Sequence, residues 1–223
     1  MIVISLLSKL VSIPRHIAFI MDGNRRYAKS RDLQQNSGHS IGFSTLISML
    51  KYCMSANVKI VTVYAFSLDN FNRDEEEVEY LMNLLIEKFE DFKNQNSIVM
   101  EKKIKIRIVG DIKKFPTDVQ EIISEIESMT NHHSELLLNI CFGYSSTWEI
   151  QEAMNHTREY PELFPQYLQI STPDCLVRTS GENRLSDFLL YQCAQGTQLM
   201  FIKKCWPELT AFDFIKIILK YSK

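Results

Sequence analysis

Short apolar runs alternate along the chain with stretches whose apolar residues recur every three or four positions. The first kind reads as buried strands and the second as helices. Strands are predicted at His16–Met21, Lys59–Phe66, Ile104–Val109, Leu136–Phe142, Asp174–Arg178 and Leu199–Ile202. Helices are predicted from Asn24, from Gly38 to Ala56, from Asp74 to about Asn94, from Pro116 to Met129, from Trp148 to Thr157, from Phe188 to Tyr191 and from Ala211 to Tyr221. Ser30–Ser37 is polar without periodicity and reads as a mobile loop. Tyr160–Ser171 holds two prolines and reads as a loop with a short helical turn. Strand followed by helix, repeated along the chain, predicts an α/β fold. We expect one domain with a mostly parallel, doubly wound six-stranded sheet flanked by helices.

Two segments keep alternatives open. The helix from Asp74 carries Val78, Leu81, Met82, Leu84, Leu85, Phe89 and Phe92, a face wider than one stripe. Such a face packs on two neighbours or lines an apolar cavity, and periodicity does not separate the two. Residues 1–13, MIVISLLSKLVSI, form an apolar leader ahead of a domain spanning 14–223. The leader is too short to span a bilayer. It lacks the basic start and the small-residue cleavage site of a signal peptide. It either covers a groove on its own domain or lies as an amphipathic anchor in a membrane interface.

Composition narrows the class. At 223 residues, 45% apolar and 11% aromatic, the chain builds one large soluble core. A net charge of -2 disfavours nucleic acid as a partner, so anion binding has to come from local basic clusters. The five cysteines (53, 141, 175, 193 and 205) include no CxxC pair, and Cys53, Cys141 and Cys175 sit in apolar surroundings. They read as reduced core residues of a cytosol-facing protein.

Three polar clusters follow predicted strands. In the first, IAFIMDGNRRY, an apolar run breaks into Asp22-Gly23-Asn24-Arg25-Arg26. Asp-Gly marks a turn, and Asn24 is read as the N-cap of a helix bearing Arg25, Arg26 and Lys29. Free N–H groups at a helix start, with two arginines, suit an anion such as a diphosphate. Asp22 does not fit plain anion binding; a carboxylate beside a phosphate site holds a divalent metal or handles a proton. The plainer alternative is a capped helix with solvated arginines.

The second cluster is Ser67-Leu68-Asp69-Asn70-Phe71-Asn72-Arg73, and the third is Arg178-Thr179-Ser180-Gly181-Glu182-Asn183-Arg184-Leu185-Ser186-Asp187. In a parallel sheet, strand ends of this kind lie together where α/β proteins bind ligands. They would bring together Arg26, Arg73, Arg178 and Arg184 with Asp22, His39, Ser67, Asn70 and Ser186. Four arginines exceed the need of one phosphate and fit two diphosphates, or one diphosphate and a developing leaving group. The alternative for any single arginine is a surface salt bridge. Neither the Walker A pattern, GxGxxG nor HExxH occurs. A serine hydrolase is not expected, and His132-His133 read as solvated.

HIAFIMDGNRRYAK from His16, GHSIGF from Gly38, YAFSLDNFNR from Tyr64 and RTSGENRLSDFLLYQ from Arg178 resemble the cis-prenyltransferases, which include undecaprenyl and dehydrodolichyl diphosphate synthases. The similarity runs in order from Pro14 to Pro207. It implies an enzyme that adds isopentenyl diphosphate to an allylic diphosphate, usually farnesyl diphosphate, in the cis configuration. The product would be a long-chain polyprenyl diphosphate for dolichol-type carriers, with Mg2+ as cofactor.

The resemblance makes Asp22 the magnesium ligand and a catalytic residue beside Ser67, Asn70 and Arg73. Gly23, Asn24, Arg25 and Arg26 would grip the allylic diphosphate, with His39 near it. Arg178, Arg184 and Ser186 would bind isopentenyl diphosphate. Phe66 and Glu77 complete the substrate-binding set. The helix from Val78 to Phe92 and the strand Leu136–Ile140 would wall an apolar tunnel. The alternative is a non-catalytic partner or scaffold subunit.

The chain departs from the bacterial pattern. Cys193–Thr197 offers no carboxylate where bacterial relatives have one that helps place magnesium. Arg25 stands where they have glycine, and Gln35 and Thr147 where they have arginines. Single-subunit members finish with an RxG motif, and this sequence ends at Lys223 without one. A second subunit supplies it, the enzyme works without it, or the sequence is a truncated one. The expected assembly is a homodimer or such a heteromer. The expected location is the cytoplasm, with peripheral contact at the endoplasmic reticulum membrane.

Overall fold

The computed structural model describes residues 2–223, the side chains of Gln35 and Asn36 excepted, so the reading of Gln35 lies outside the described side chains. Six strands, β1 (His16–Ile20), β2 (Ile60–Ser67), β3 (Ile104–Val109), β4 (Leu136–Tyr144), β5 (Cys175–Arg178) and β6 (Gln198–Phe201), form one sheet. Their order is β3-β4-β2-β1-β5-β6 and every pairing is parallel. The expected α/β architecture is therefore present. The sheet is covered on both faces, which is why β1 reads as an unbroken apolar run: all five of its residues are buried.

Alternation along the strands divides the core in two. Ile17, Phe19, Val61, Val63, Leu138 and Ile140 face one layer. That layer includes α3 (Gln35–Ser55), α4 (Glu75–Lys93), α6 (Thr117–Thr130) and α9 (Ala211–Tyr221). Ala18, Ile20 and Cys141 face a smaller second layer with Ile170, Phe188 and Leu189. Its helices are α7 (Ser146–His156) and α8 (Leu190–Ala194). On the larger face Phe19 packs on Trp206, ring centroids 5.5 Å apart, and Trp206 Nε1 donates to Gly42 O at 2.8 Å. This ties β1, α3 and the segment after β6 into one unit.

Most predicted elements lie within a few residues of their expected ends, and the differences have local causes. The expected loop Ser30–Ser37 shrinks to residues 31–34, because α3 begins at Gln35. A four-residue helix α5 (Ile98–Glu101) precedes β3, capped by Ser97 Oγ, which accepts from Met100 N. Nothing so short has a periodicity to detect. His133, expected to be solvated, is buried with Nδ1 3.0 Å from Ile104 O.

At the leader, α1 (Ile2–Leu7) buries Ile4 in the main core while Ile2, Val3, Leu6 and Leu10 stay more than half exposed. One side of the segment thus packs on its own domain, and the other is exposed. Among the described residues no helix is long and apolar enough to cross a membrane.

His16 opens β1 inside the core, where burial, partly opposed by Asp174, pulls its pKa down to about 4. Its Nε2 lies 2.7 Å from Thr62 Oγ1. A folded pKa below the unfolded value means that the unfolded chain takes up a proton which the folded one refuses. Stability is full above the unfolded pKa of about 6.5, falls as pH drops toward 4, and levels below that. The loss from His16 should approach ~3 kcal/mol. The urea midpoint should drop between pH 7 and 4, less steeply in His16→Gln. An equal slope in that variant would remove His16 as a source.

Candidate active site

The ends of β1, β2 and β5 adjoin because these strands are neighbours in the order β2-β1-β5. Their polar clusters open on one cavity of about 610 Å³. Asp22, Gly23, Asn24, Arg25 and Arg26 line it from β1 and α2 (Asn24–Ser30), and His39 from α3. Phe66, Ser67, Asn70 and Arg73 line it from the end of β2 and the 3₁₀ turn that follows. Arg178, Arg184 and Ser186 line it after β5. Of the expected site residues only Glu77 stands off the wall. It sits behind, taking Arg73 at 2.8 Å and Arg25 at 3.3 Å, with His39 at 4.0 Å. Glu77 therefore pairs with three residues that line the cavity.

The first turn differs from the expected cap. Gly23 is the N-cap, at φ +100°, a left-handed conformation that favours glycine. Asn24 is instead the first helical residue. Its Nδ2 is 3.4 Å from Met21 O, and its buried Oδ1 has no partner. Gly42 allows this: a Cβ there would lie 2.5 Å from Asn24 Oδ1.

Arg178 organises the charge. Only 4% of its side chain is exposed. One nitrogen donates to Ser186 Oγ at 2.8 Å and to Arg184 O at 2.5 Å; another donates to Asp22 Oδ2 at 3.0 Å. Nε is buried with no partner. Arg26 reaches Asp22 at 3.4 Å and donates to Ser180 O at 3.0 Å. Partial burial works against the Asp22 carboxylate. Hydrogen bonds from Arg178 and Ser180, with the charges of Arg178 and Arg26, outweigh it and hold Asp22 below the usual carboxylate range. For His39 burial, against the pull of Glu77, lowers the pKa to about 4, so the ring is neutral at pH 7. The site holds an ionised carboxylate, several cations and a neutral imidazole.

One wall is apolar. Leu81, Leu84, Leu85, Phe89 and Phe92 of α4 line the cavity, while Met82 of the same helix packs into the core. Both alternatives for the wide face thus apply, and Phe89 and Phe92, which belong to the core as well as to the cavity wall, serve both. Gly38-His39-Ser40-Ile41-Gly42 has the GxSxG spacing of a nucleophile elbow, but it lies inside α3 with Ser40 exposed. An elbow needs a strand-to-helix turn.

The family model for undecaprenyl diphosphate synthases, Prenyltransf, matches residues 20–223. The chain belongs to the cis-prenyltransferase family. It is 39% identical to the human dehydrodolichyl diphosphate synthase complex subunit, over 94% of this chain and 67% of that one. It is 36% identical to the isoprenyl transferase of Thermotoga maritima, over 95% and 94% of the two chains. The solved lavandulyl diphosphate synthase of Lavandula x intermedia, in complex with dimethylallyl diphosphate, superposes with a TM-score of 0.84 at 27% identity. It covers 94% of this chain and 95% of its own. As a cis-prenyltransferase this chain is an enzyme of cis-prenyl chain elongation, and the non-catalytic alternative is not favoured.

Sequence reasoning passed over three residues. Thr179 clips Asp22: its Oγ1 accepts from Asp22 N at 2.9 Å and donates to Asp22 O at 2.6 Å. Glu182 lines the cavity and pairs with Arg26 and Arg184. Asp187 holds the third cluster in place. Its Oδ1 accepts from Thr147 N at 3.0 Å and from Thr147 Oγ1 at 3.1 Å. Ser186 and Asp187 both have left-handed backbones, at φ +50° and +55°. Asp tolerates that region better than most residues, which was the available signal.

Asp187→Ala should cut prenyltransferase turnover about ten-fold through loss of two hydrogen bonds. Asp187→Asn, which keeps the acceptor, should restore most of it. Equal losses in both variants, measured beside an unchanged circular dichroism spectrum, would reject this positioning role.

Proposed function

We propose that the enzyme elongates farnesyl diphosphate with isopentenyl diphosphate units to a long-chain cis-polyprenyl diphosphate for dolichol-type carriers. The observation that carries this is Arg178, buried between two polar clusters and bonded to a residue of each. That is the arrangement a reaction between two diphosphates requires.

The allylic diphosphate would lie on the start of α2, held by the N–H groups of Asn24 and Arg25 and by Arg26, with Gly23 turning the chain into the helix. Neutral His39 would offer one N–H beside it. Isopentenyl diphosphate would lie on Arg178, Arg184 and Ser186, with its alkene toward the allylic carbon. The allylic C–O bond breaks and its electron pair leaves with the diphosphate. The alkene then forms the new C–C bond, and the resulting cation loses a proton. Ser67, Asn70 and Arg73 support ionisation and condensation from the β2 side. Phe66 and the α4 leucines and phenylalanines would take the growing tail in an apolar tunnel.

The residues present fit a magnesium ion. Asp22 is ionised and faces the cavity, and among the described residues no third His, Cys, Asp or Glu converges to form a closed cage. Magnesium characteristically takes one or two carboxylates and completes its octahedron with phosphate oxygens and water. When bound, the ion supplies charge that offsets the departing diphosphate.

Residues 14–223 would form the catalytic domain. The human and Schizosaccharomyces pombe relatives are named as subunits of a complex, which supports a heteromer; its partner subunit would supply an RxG motif. A homodimer is the other assembly to test. The exposed face of α1 supports peripheral contact with the endoplasmic reticulum membrane from the cytoplasm.

Incubation with farnesyl diphosphate, labelled isopentenyl diphosphate and magnesium should give a butanol-extractable product, whose chromatography reads its length. Absence of product, with and without a candidate partner, would defeat the proposal. Asp22→Ala should lower turnover by about 10²-fold or more. Arg184→Ala should chiefly raise the KM for isopentenyl diphosphate, by about ten-fold; a change confined to the allylic substrate would reverse the site assignment. Chelation should abolish turnover and added magnesium restore it. Replacing Ile2, Leu6 and Leu10 together by serine should reduce co-sedimentation with lipid vesicles, and unchanged sedimentation would remove residues 2–10 as the contact.

A further inference from the structure

Strand β2 changes face at its end. Val63 packs in the larger core layer and Tyr64 against the smaller one, as alternation requires. Phe66 should then share a side with Tyr64, yet it belongs to the larger layer. The pairing of β2 with β4 slips between Tyr64 and Phe66 and again between Phe66 and Ser67. A bulge of this kind re-aims side chains, and bulges are common beside active sites. Here it turns Phe66 away and leaves Tyr64 on the side of the third polar cluster. Both residues line the active-site cavity.

The Tyr64 ring is fixed by aromatic packing. It stacks on Phe188, ring centroids 4.4 Å apart and planes 14° apart, and Tyr144 stands perpendicular to it at 6.1 Å. The hydroxyl lies 3.2 Å from Tyr144 O and 3.3 Å from Ser186 O. Carbonyls only accept, so the O–H is shared between them. The side chain of Ser67 hydrogen-bonds the same hydroxyl. Burial pushes the phenol far above its ordinary pKa, so it keeps its proton at neutral pH. One hydroxyl thus joins the second cluster, at Ser67, to the third, at Ser186. The sheet does not join them, since β1 lies between β2 and β5.

Ser186 sits in backbone that needs outside support. Ser186, Asp187 and Leu189 are left-handed, at φ +50°, +55° and +49°. Residues other than glycine keep that conformation where their surroundings over-determine it. Ser146 supports the far side: its N–H donates to Asp187 O at 2.6 Å, and its Oγ accepts from Leu190 N at 2.9 Å. Thr147 holds the Asp187 carboxylate. Tyr64 takes the carbonyl of Ser186 itself. The Ser186 hydroxyl faces Arg178, which donates to it at 2.8 Å.

We propose that Tyr64 is a positioning residue for isopentenyl diphosphate: by holding the Ser186 carbonyl, its hydroxyl keeps the Ser186 side chain on Arg178 and both aimed at the incoming diphosphate. This rests on the isopentenyl site proposed above, Arg178, Arg184 and Ser186. Tyr64 acts through Ser186, so it governs the binding of one substrate and leaves the chemical step alone.

Tyr64→Phe removes the hydroxyl and keeps the ring on Phe188. The KM for isopentenyl diphosphate should rise about ten-fold, while kcat and the KM for the allylic diphosphate change less than about two-fold. In a Ser186→Ala background the same substitution should raise that KM by less than about two-fold, because the side chain it aims is gone. An equal rise in both backgrounds, or one shared by both substrates, would overturn the proposal. So would a lowered melting temperature with neither KM changed, the mark of a tyrosine that merely packs. Titration calorimetry with isopentenyl diphosphate and magnesium should show about ten-fold weaker binding to Tyr64→Phe than to the unmodified chain. Equal binding to both would overturn the role of Tyr64 and leave the site assignment standing. No binding to the unmodified chain would defeat that assignment, and the role of Tyr64 with it.

Discussion

The buried guanidinium of Arg178 is the interaction on which the site depends. It is held between Asp22 at the end of β1 and Ser186 beyond β5, with its charge almost wholly removed from solvent. A cation in that position is costly unless it is paired, and Asp22 provides the pairing. The same contact, with Ser180 and Arg26, keeps Asp22 ionised, so the pair joins the positive and the negative chemistry of the cavity. Thr179, next in sequence, clips the Asp22 backbone and fixes the distance between the two strand ends.

Everything around that pair follows from strand adjacency. The order β2-β1-β5 brings three polar clusters, far apart in sequence, to one edge of the sheet. The larger helical layer then supplies the apolar wall. Helix α4 does two jobs because its apolar face is too wide for one neighbour: Met82 goes to the core and Leu81, Leu84 and Leu85 to the cavity. Glu77, in the first turn of the same helix, links the wall to the charged end by holding Arg25 and Arg73. A charged end and an apolar wall are therefore joined by one helix and the strand ends it faces.

The two faces of the sheet are unequal in a way that matters. The larger face is filled by side chains such as Phe19, Leu50 and Trp206. The smaller face carries a polar row, His16, Thr62, Asn139 and Arg107, running across four strands under Ile170 and Gln192. Such a row is tolerated because most of its groups bond one another.

The sequence by itself determined the class of fold, the strands and the three clusters. Period-two and unbroken apolar runs report burial directly, and turn residues punctuate them at fixed places. The residues His16–Tyr27 and Arg178–Asp187 were legible because each cluster is contiguous. Tertiary structure alone decided what each charge meets. Glu77 pairs with Arg73 and Arg25 from behind the wall; Asn24 looked like a cap and is the first helical residue, since Gly23 takes the left-handed turn. His133 looked solvated and is buried. Thr147 holding Asp187, and Arg107 meeting Asn139, are contacts between residues some thirty to forty positions apart. Periodicity carries no term for such pairs: hydrophobic patterning says which face is buried, while the partner of a buried polar atom depends on strand order and register, which form only when the sheet closes.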